Sequence, residues 1–367
     1  MPSAAESLVK KLVVLATVAG LGSALAFLLV ACGGTKAAQP PRTGWQKLPA
    51  SPIAARGLNG VASAWTGKEL VVLAVRPGPD GTFIGSTNVA AAYNPGAGTW
   101  RRLAPGPKMQ NYCRRGVAST DGKVVLWGCS EASLDPQANA WRMLPKAPTG
   151  EGLLAWTGKE LIGWGGGCCG DAWDGGSAYD SAANSWRTLS RSPLAPSQGP
   201  LGAWTGHRLL VVVSGYSPDG KPYPASLARV AAYDPATDSW SRLAAPAPAA
   251  LRYGGAAAWD GHELLVVGNE SATKHVALAY DPSANRWRRL ARPPEGLVPL
   301  QAFWTGSRLI VIGSDEVMRA FAYDPTADRW TALPRIPVQG PSQSAAWTGR
   351  QLIVWGSAGG AVLTPAG

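Results

Sequence analysis

The sequence predicts an all-β fold, a seven-bladed β-propeller of four-stranded blades, on three observations. First, the stretch Ala232-Tyr-Asp-Pro-Ala-Thr-Asp-Ser-Trp240-Ser-Arg-Leu243 recurs at 93–100, 134–141, 179–186, 280–287 and 323–330, always with six residues between the first aromatic (Leu134 in one copy) and the Trp. Second, a run of the form Trp65-Thr-Gly-Lys-Glu-Leu-Val-Val-Leu recurs from Trp156, Trp204, Trp259, Trp304 and Trp347, with a degenerate copy from Thr120. Units repeating every 40 to 55 residues, roughly 47 on average, mark a repeated scaffold and not a single reaction centre. Third, the two ends of the chain carry complementary fragments of one unit, which predicts a closed ring.

Each unit reads as four antiparallel strands, A to D. Thr-Gly or Asp-Gly followed by a Leu/Val/Ile run is a hairpin signal and supplies strands A and B. The Ala-Tyr pair is strand C, and Asp-Pro begins a type I turn. Asn, Asp or Gly at the fifth turn position tolerates a left-handed backbone there. Trp then opens strand D. Seven A–B units follow one another, but Trp45-Gln46-Lys47-Leu48 is a strand D with nothing before it, and the last unit ends in a strand C at 361–364 with no strand D after it. Residues 45–48 therefore complete the last blade, which removes the exposed sheet edges of an open array.

Composition agrees. The 367 residues include 45 Gly, 31 Pro and 17 Trp against 4 Phe and 4 Met, a turn-rich β composition with aromatic packing units. The net charge of +11 suits an anionic partner or surface without naming one. No nucleic-acid partner and no cofactor are expected, and a monomer is.

Lys10 and Lys11 precede an uncharged apolar run over 12–30, followed by Leu29-Val30-Ala31-Cys32-Gly33. These residues resemble a bacterial lipobox. The resemblance implies a signal peptide over 1–31, cleavage before Cys32, lipid attachment to that thiol, a tether over 32–44 and a propeller over 45–367. The alternative is an uncleaved anchor, since about 19 apolar residues span a bilayer. Either way the body is expected at the extracytoplasmic face of the cell membrane. The remaining cysteines, Cys113, Cys129, Cys168 and Cys169, are even in number in an oxidising compartment. Cys113 and Cys129 fall within a residue of cross-strand register about the Asp121-Gly122 hairpin and are disulfide candidates. Cys168-Cys169 could form a vicinal disulfide, stay free, or exchange with the first pair. Their spacing is not that of a zinc site.

The Tyr-x6-Trp spacing and the apolar runs ending in Gly resemble the kelch-repeat family, including the galactose-oxidase-like propellers, from Trp45 to the C-terminus. Most blades carry one Gly (Gly128, Gly268, Gly313, Gly356) where the kelch pattern has two; Gly165-Gly166 is the clear pair. The copper site of galactose oxidase needs paired His and Tyr ligands. With three His in the chain, His207 and His262 in A–B turns and His275 in a loop, no such set assembles, and no metal is expected. The Asp-box spacing of sialidases and the Trp motif of quinone-dependent dehydrogenases are also absent.

Removing the scaffold residues leaves five aromatics, Tyr112, Trp173, Tyr216, Tyr223 and Tyr253. All fall in B–C or D–A loops, which open on one face, and variable loops on a rigid scaffold are the usual seat of function. With Arg115, Glu151, Asp171, Asp174, Arg252 and Glu270 they form the candidate ligand-binding set. Planar aromatics with carboxylates suit sugar stacking and hydroxyl bonding, or a protein ligand. Paired carboxylates such as Asp171 and Asp174 keep a carbohydrate hydrolase or lyase as the alternative, with no catalytic residue assigned; a structural partner in an envelope complex is a further one. The strand-D arginines Arg101, Arg102, Arg187, Arg242, Arg288 and Arg289 are expected on the outer rim, against anionic lipid or wall polymer or as solvated edge charges.

Overall fold

A computed structural model describes residues 44–365, apart from 54–57, 78–85, 109–115, 129–130, 168–169, 215, 218, 246–250, 252, 272–273, 315–316, 339 and 341–342. The lipobox-like residues, the apolar run and all five cysteines lie outside the described residues.

Seven four-stranded antiparallel sheets form the fold, each paired in the order A-B-C-D. Blade one is Asn59–Trp65, Leu70–Arg76, Thr87–Asn94 and Thr99–Arg102. Blade two is Gly116–Thr120, Lys123–Trp127, Ala132–Asp135 and Ala140–Met143. Blade three is Leu153–Trp156, Glu160–Trp164, Gly176–Asp180 and Ser185–Thr188. Blade four is Leu201–Trp204, Leu209–Val212, Val230–Asp234 and Ser239–Arg242. Blade five is Tyr253–Trp259, Leu264–Asn269, His275–Asp281 and Arg286–Arg289. Blade six is Pro299–Trp304, Leu309–Ser314, Met318–Asp324 and Arg329–Ala332. Blade seven is Gln343–Trp347, Leu352–Gly356 and Gly359–Leu363, completed by Gln46–Lys47 from the other end of the chain. Gln46 pairs with Val362 and Lys47 with Ala361, and Leu48 N–H donates to Gly360 O at 2.9 Å. Each strand A touches the strand A of both neighbouring blades, so the ring closes as the sequence predicts.

The core is a set of layers between blades. Seven buried apolar clusters each span one pair of adjacent blades. In strand B of blade four, Leu209 and Val211 pack toward blade three while Leu210 and Val212 pack toward blade five. Strands buried on both faces read as continuous Leu/Val/Ile runs. The strand-B tryptophans Trp127, Trp164 and Trp355 are fully buried and meet Trp186, Trp240 and Trp100 of the following blade, with ring centroids 4.3, 6.1 and 6.3 Å apart.

The fifth turn position does adopt a left-handed backbone, at Gly98, Asn139, Asn184, Asp238, Asn285 and Asp328. Its side chain also reaches across the junction: Asn139, Asp238, Asn285 and Asp328 accept the backbone N–H of Ala104, Ser190, Ala244 and Ala291 in the preceding blade, at 2.7–3.0 Å.

The strand-D arginines divide. Arg101, Arg187 and Arg288 are not loose edge charges. They pair with Glu69 and Glu263 in the A–B turn, and with Glu160 at the start of strand B, of the same blade at 2.7, 2.6 and 2.8 Å. Arg187 also reaches Tyr233 and Asp238 of blade four, at 3.0 and 3.3 Å. Arg102 and Arg242 donate to backbone carbonyls, of Pro52 and Ser226. Arg289 is exposed, with no partner among the described residues.

Deleting residues 45–49 removes the fourth strand of blade seven and the Trp45 side chain. A loss of about 3–5 kcal/mol is expected by denaturant titration, comparable to truncating a large packed aromatic; an unchanged midpoint would contradict ring closure.

Acid should act at particular seams. Asp238 is opposed by burial, but hydrogen bonds from Tyr233, Ser190 N–H and Arg187 hold it below the usual carboxylate range. The Tyr233-type bond in blade six, Tyr323 to Asp328 at 2.6 Å, together with Ala291 N–H, does the same for Asp328. The junctions onto blades three and five carry neutral Asn184 and Asn285 instead. A lowered folded-state pKa means stability that is whole above the ordinary Asp range and lost as pH falls through the depressed value. Asp238→Asn with Asp328→Asn should therefore flatten the fall in stability between about pH 5 and pH 2. An acid limb as steep as that of the native chain would refute this.

Candidate functional site

The A–B and C–D turns occupy one face and are short; the B–C and D–A connections occupy the other and vary. Blades three and four carry long B–C connections, 165–175 and 213–229, and the D–A connection 189–200 runs between them.

Backbone hydrogen bonds knit these three segments into one ribbon. Gly166 N–H donates to Ser197 O at 2.8 Å, Ser197 N–H to Trp173 O at 2.9 Å, and Trp173 N–H to Gly166 O at 3.1 Å. On the other side Ala195 N–H donates to Ala228 O at 3.0 Å and Ala228 N–H to Pro193 O at 2.8 Å. The Gln198 amide adds a bond to Asp171 O at 2.6 Å. The connection 193–198 thus acts as a strap, pinned by the buried side chains of Leu194 and Ala195. The ribbon depends on glycine at Gly166 and Gly167, with φ of 118° and 112°. A Cβ at Gly167 would stand 2.6 Å from Asp171 O, and one at Gly166 3.0 Å from the Glu151 carboxyl.

The structure brings together Glu151, Asp171, Trp173, Asp174 and Tyr223. Trp173 projects from the ribbon with 40% of its surface exposed, and Asp171 and Asp174 flanking it are exposed. Glu151 is buried beneath the glycine loop. Tyr223 is half-buried against the core between blades three and four. Burial pushes its phenol up; Arg229 opposes the shift, and Asp219 and Asp174 add to it. Asp174 thus lies within electrostatic reach of that ring.

Arg229 is not presented to a ligand. Its guanidinium folds inward, donating to Leu227 O and Tyr223 O at 2.9 Å each and lying 5.6 Å over the Tyr223 ring. Burial holds its pKa below the usual guanidinium value. It tethers the 213–229 loop. Asp219 is likewise committed to its own turn, where Ser217 and then Lys221 hold it down to about 2.

Other candidates stand elsewhere. Tyr216 forms an isolated bridge with Pro222. Glu270 is ion-paired with Lys274 at 2.8 Å in blade five. His275 opens strand C of that blade, buried, with Nδ1 2.7 Å from Asn269 Oδ1. Tyr253 belongs to the start of a strand A and not to a loop. Tyr112, Arg115 and Arg252 lie outside the described residues. The strap and the inward Arg229 escape sequence reading. The one signal for the strap is Leu194-Ala195 set between Pro193 and Pro196 in an otherwise polar connection.

A pocket of about 20 Å³ at the end of the strap, lined by residues including Gly199, Leu201, Ser214 and Leu251, has room for a single water. Among the described residues no group of three or more His, Cys, Asp or Glu stands close enough to hold a metal ion.

No family model matches the chain. It is 32% identical over 147 residues to the Kelch-like protein terF of Aspergillus terreus, a stretch that covers 34% of this chain and 30% of that protein. The chain therefore matches less than a third of the length of this curated relative. The similarity joins the kelch-like repeat spacing to a fold of seven four-stranded blades.

Proposed function

We propose that this chain is a kelch-type binding module, held at the extracytoplasmic face of the cell membrane through lipidated Cys32, that recognises a partner protein or a saccharide on the loop face of blades three and four. The observation that carries the reading is the ribbon itself. Two B–C loops and a strap are locked together by backbone hydrogen bonds, and Trp173 stands out of them beside two carboxylates. A rigid aromatic loses little conformational entropy on binding, which is why Trp dominates contact surfaces. The similarity to a Kelch-like protein favours a protein partner. Flanking carboxylates would bond the hydroxyls of a saccharide or the basic groups of a protein.

Cross-linking of the full chain in its native envelope, run beside a glycan array, tests the proposal. Trp173→Ala should weaken capture by about 30-fold or more, the ~2 kcal/mol of an interface anchor, with thermal stability preserved. Asp171→Asn with Asp174→Asn should weaken it less. Capture on the glycan array selects the saccharide; turnover of a captured glycan would convert the reading to a hydrolase or lyase. Undiminished capture by Trp173→Ala on both arms would eliminate this site.

A further inference from the structure

What a surface recognises depends on which hydrogen-bonding groups it leaves pointing outward. On the ribbon of blades three and four the amide and cationic donors are committed within the protein. The Arg229 guanidinium is bonded to Leu227 O and Tyr223 O, and the Gln198 amide N–H to Asp171 O. Lys221 is ion-paired with Asp219 at 3.0 Å inside its own turn, and the Ser217 hydroxyl donates within the same turn.

The outward groups that remain are acceptors and an aromatic face. Asp171 and Asp174 are exposed carboxylates that form no ion pair among the described residues. In sequence they bracket Trp173, whose side chain is 40% exposed. Asp174 also acts on the Tyr223 phenol through space.

Two exposed cations flank the ribbon, Lys146 and Arg191, and neither pairs with these acids. Each directly follows a residue whose carbonyl accepts a strand-D indole, Pro145 O from Trp186 and Ser190 O from Trp240, which sets its backbone at the outer edge of the blades. Arg76, Arg319 and Arg335 are exposed too, but they stand in or beside blades one and six.

An aromatic face beside two carboxylates, with the neighbouring donors already committed, complements a group that is cationic, planar and rich in donors. A saccharide hydroxyl carries one donor and two acceptor positions, so a site built for it supplies donors as well. A guanidinium has five N–H donors and no acceptor; it stacks on an indole and bonds a carboxylate through two N–H groups. The ribbon already holds one contact of this kind, Arg229 lying 5.6 Å over the Tyr223 ring with its N–H groups on carbonyl oxygens. We propose that the ribbon of blades three and four takes an arginine side chain of a partner protein, stacked on Trp173 and bonded by Asp171 and Asp174. This rests on the binding role of the loop face and selects, within it, a basic protein segment over a saccharide. The chain carries a net charge of +11, so at long range it repels a cationic peptide, and capture of one reports a local site.

Fluorescence anisotropy of labelled hexa-arginine, titrated with the full chain in a neutral detergent at about 50 mM salt, tests this beside hexa-lysine and hexa-citrulline. Hexa-arginine should bind at least about fivefold tighter than hexa-lysine, and hexa-citrulline, which keeps the shape without the charge, should not bind. Asp171→Asn with Asp174→Asn should weaken arginine binding at least about tenfold, and Trp173→Ala more. The melting temperature should hold in both variants, because these side chains are exposed and the ribbon is bonded through its backbone. Failure of hexa-arginine to bind, a lysine or citrulline peptide binding as tightly, or indifference to the aspartate pair overturns the proposal. In that event, loss of cross-linked or glycan capture by Trp173→Ala still upholds the loop-face site, whereas undiminished capture there removes both.

Discussion

Seven indole N–H groups hold the ring in register. Each strand-D tryptophan donates to the carbonyl of the residue four positions beyond the tryptophan of the preceding blade. Trp100 reaches Pro49, Trp141 Ala104, Trp186 Pro145, Trp240 Ser190, Trp287 Ala244 and Trp330 Ala291, and Trp45 reaches Pro334 to complete the circle, all at 2.7–3.1 Å. Burial of an indole is worth more than its hydrogen bond, about 3–5 against about 1 kcal/mol. The bond has direction, though, and burial has none, so it sets how each blade sits on the last. At Ala104, Ser190, Ala244 and Ala291 the same residue donates its N–H to the left-handed Asn or Asp of the next blade. Pro49 has no N–H to give, and opposite it stands Gly98, with no side chain to accept one.

This division of labour separates the two faces. Turns on one face are spent on Asx caps, Glu–Arg pairs and the contacts of neighbouring blades, which leaves little there but turn-tip charge. On the other face the connections differ in length from blade to blade. The connections of blades three and four grow there and bond to one another through the strap. The platform under Trp173 is rigid because its backbone is paired, and it is placed because the blades beneath it are.

Scaffold residues were legible because each is repeated: the Tyr-x6-Trp spacing, the Thr-Gly turns and the left-handed Asn/Asp seat recur, and the spare strand at Trp45 announces closure. Where one residue serves one place, reading fails for a physical reason. Arg187 and Glu160 meet only when strand D folds back beside the A–B turn, which composition cannot show. Leu194 and Ala195 are buried by two loops distant in sequence. Arg229 resembles an available cation until its loop wraps around it. Residues left over from the repeat are scattered along the chain, and the fold joins Glu151, Asp171, Trp173, Asp174 and Tyr223 while setting Glu270 in another blade.

The most direct measurement is the unfolding free energy of seven single variants, each strand-D tryptophan replaced by Phe, which keeps most of the packing and removes the donor. The ring account requires a similar loss of about 1–2 kcal/mol at every position, with Trp45→Phe as costly as the six internal changes. Losses at the six internal positions with none at Trp45 would mean that the chain is an open array and that its closing strand is dispensable.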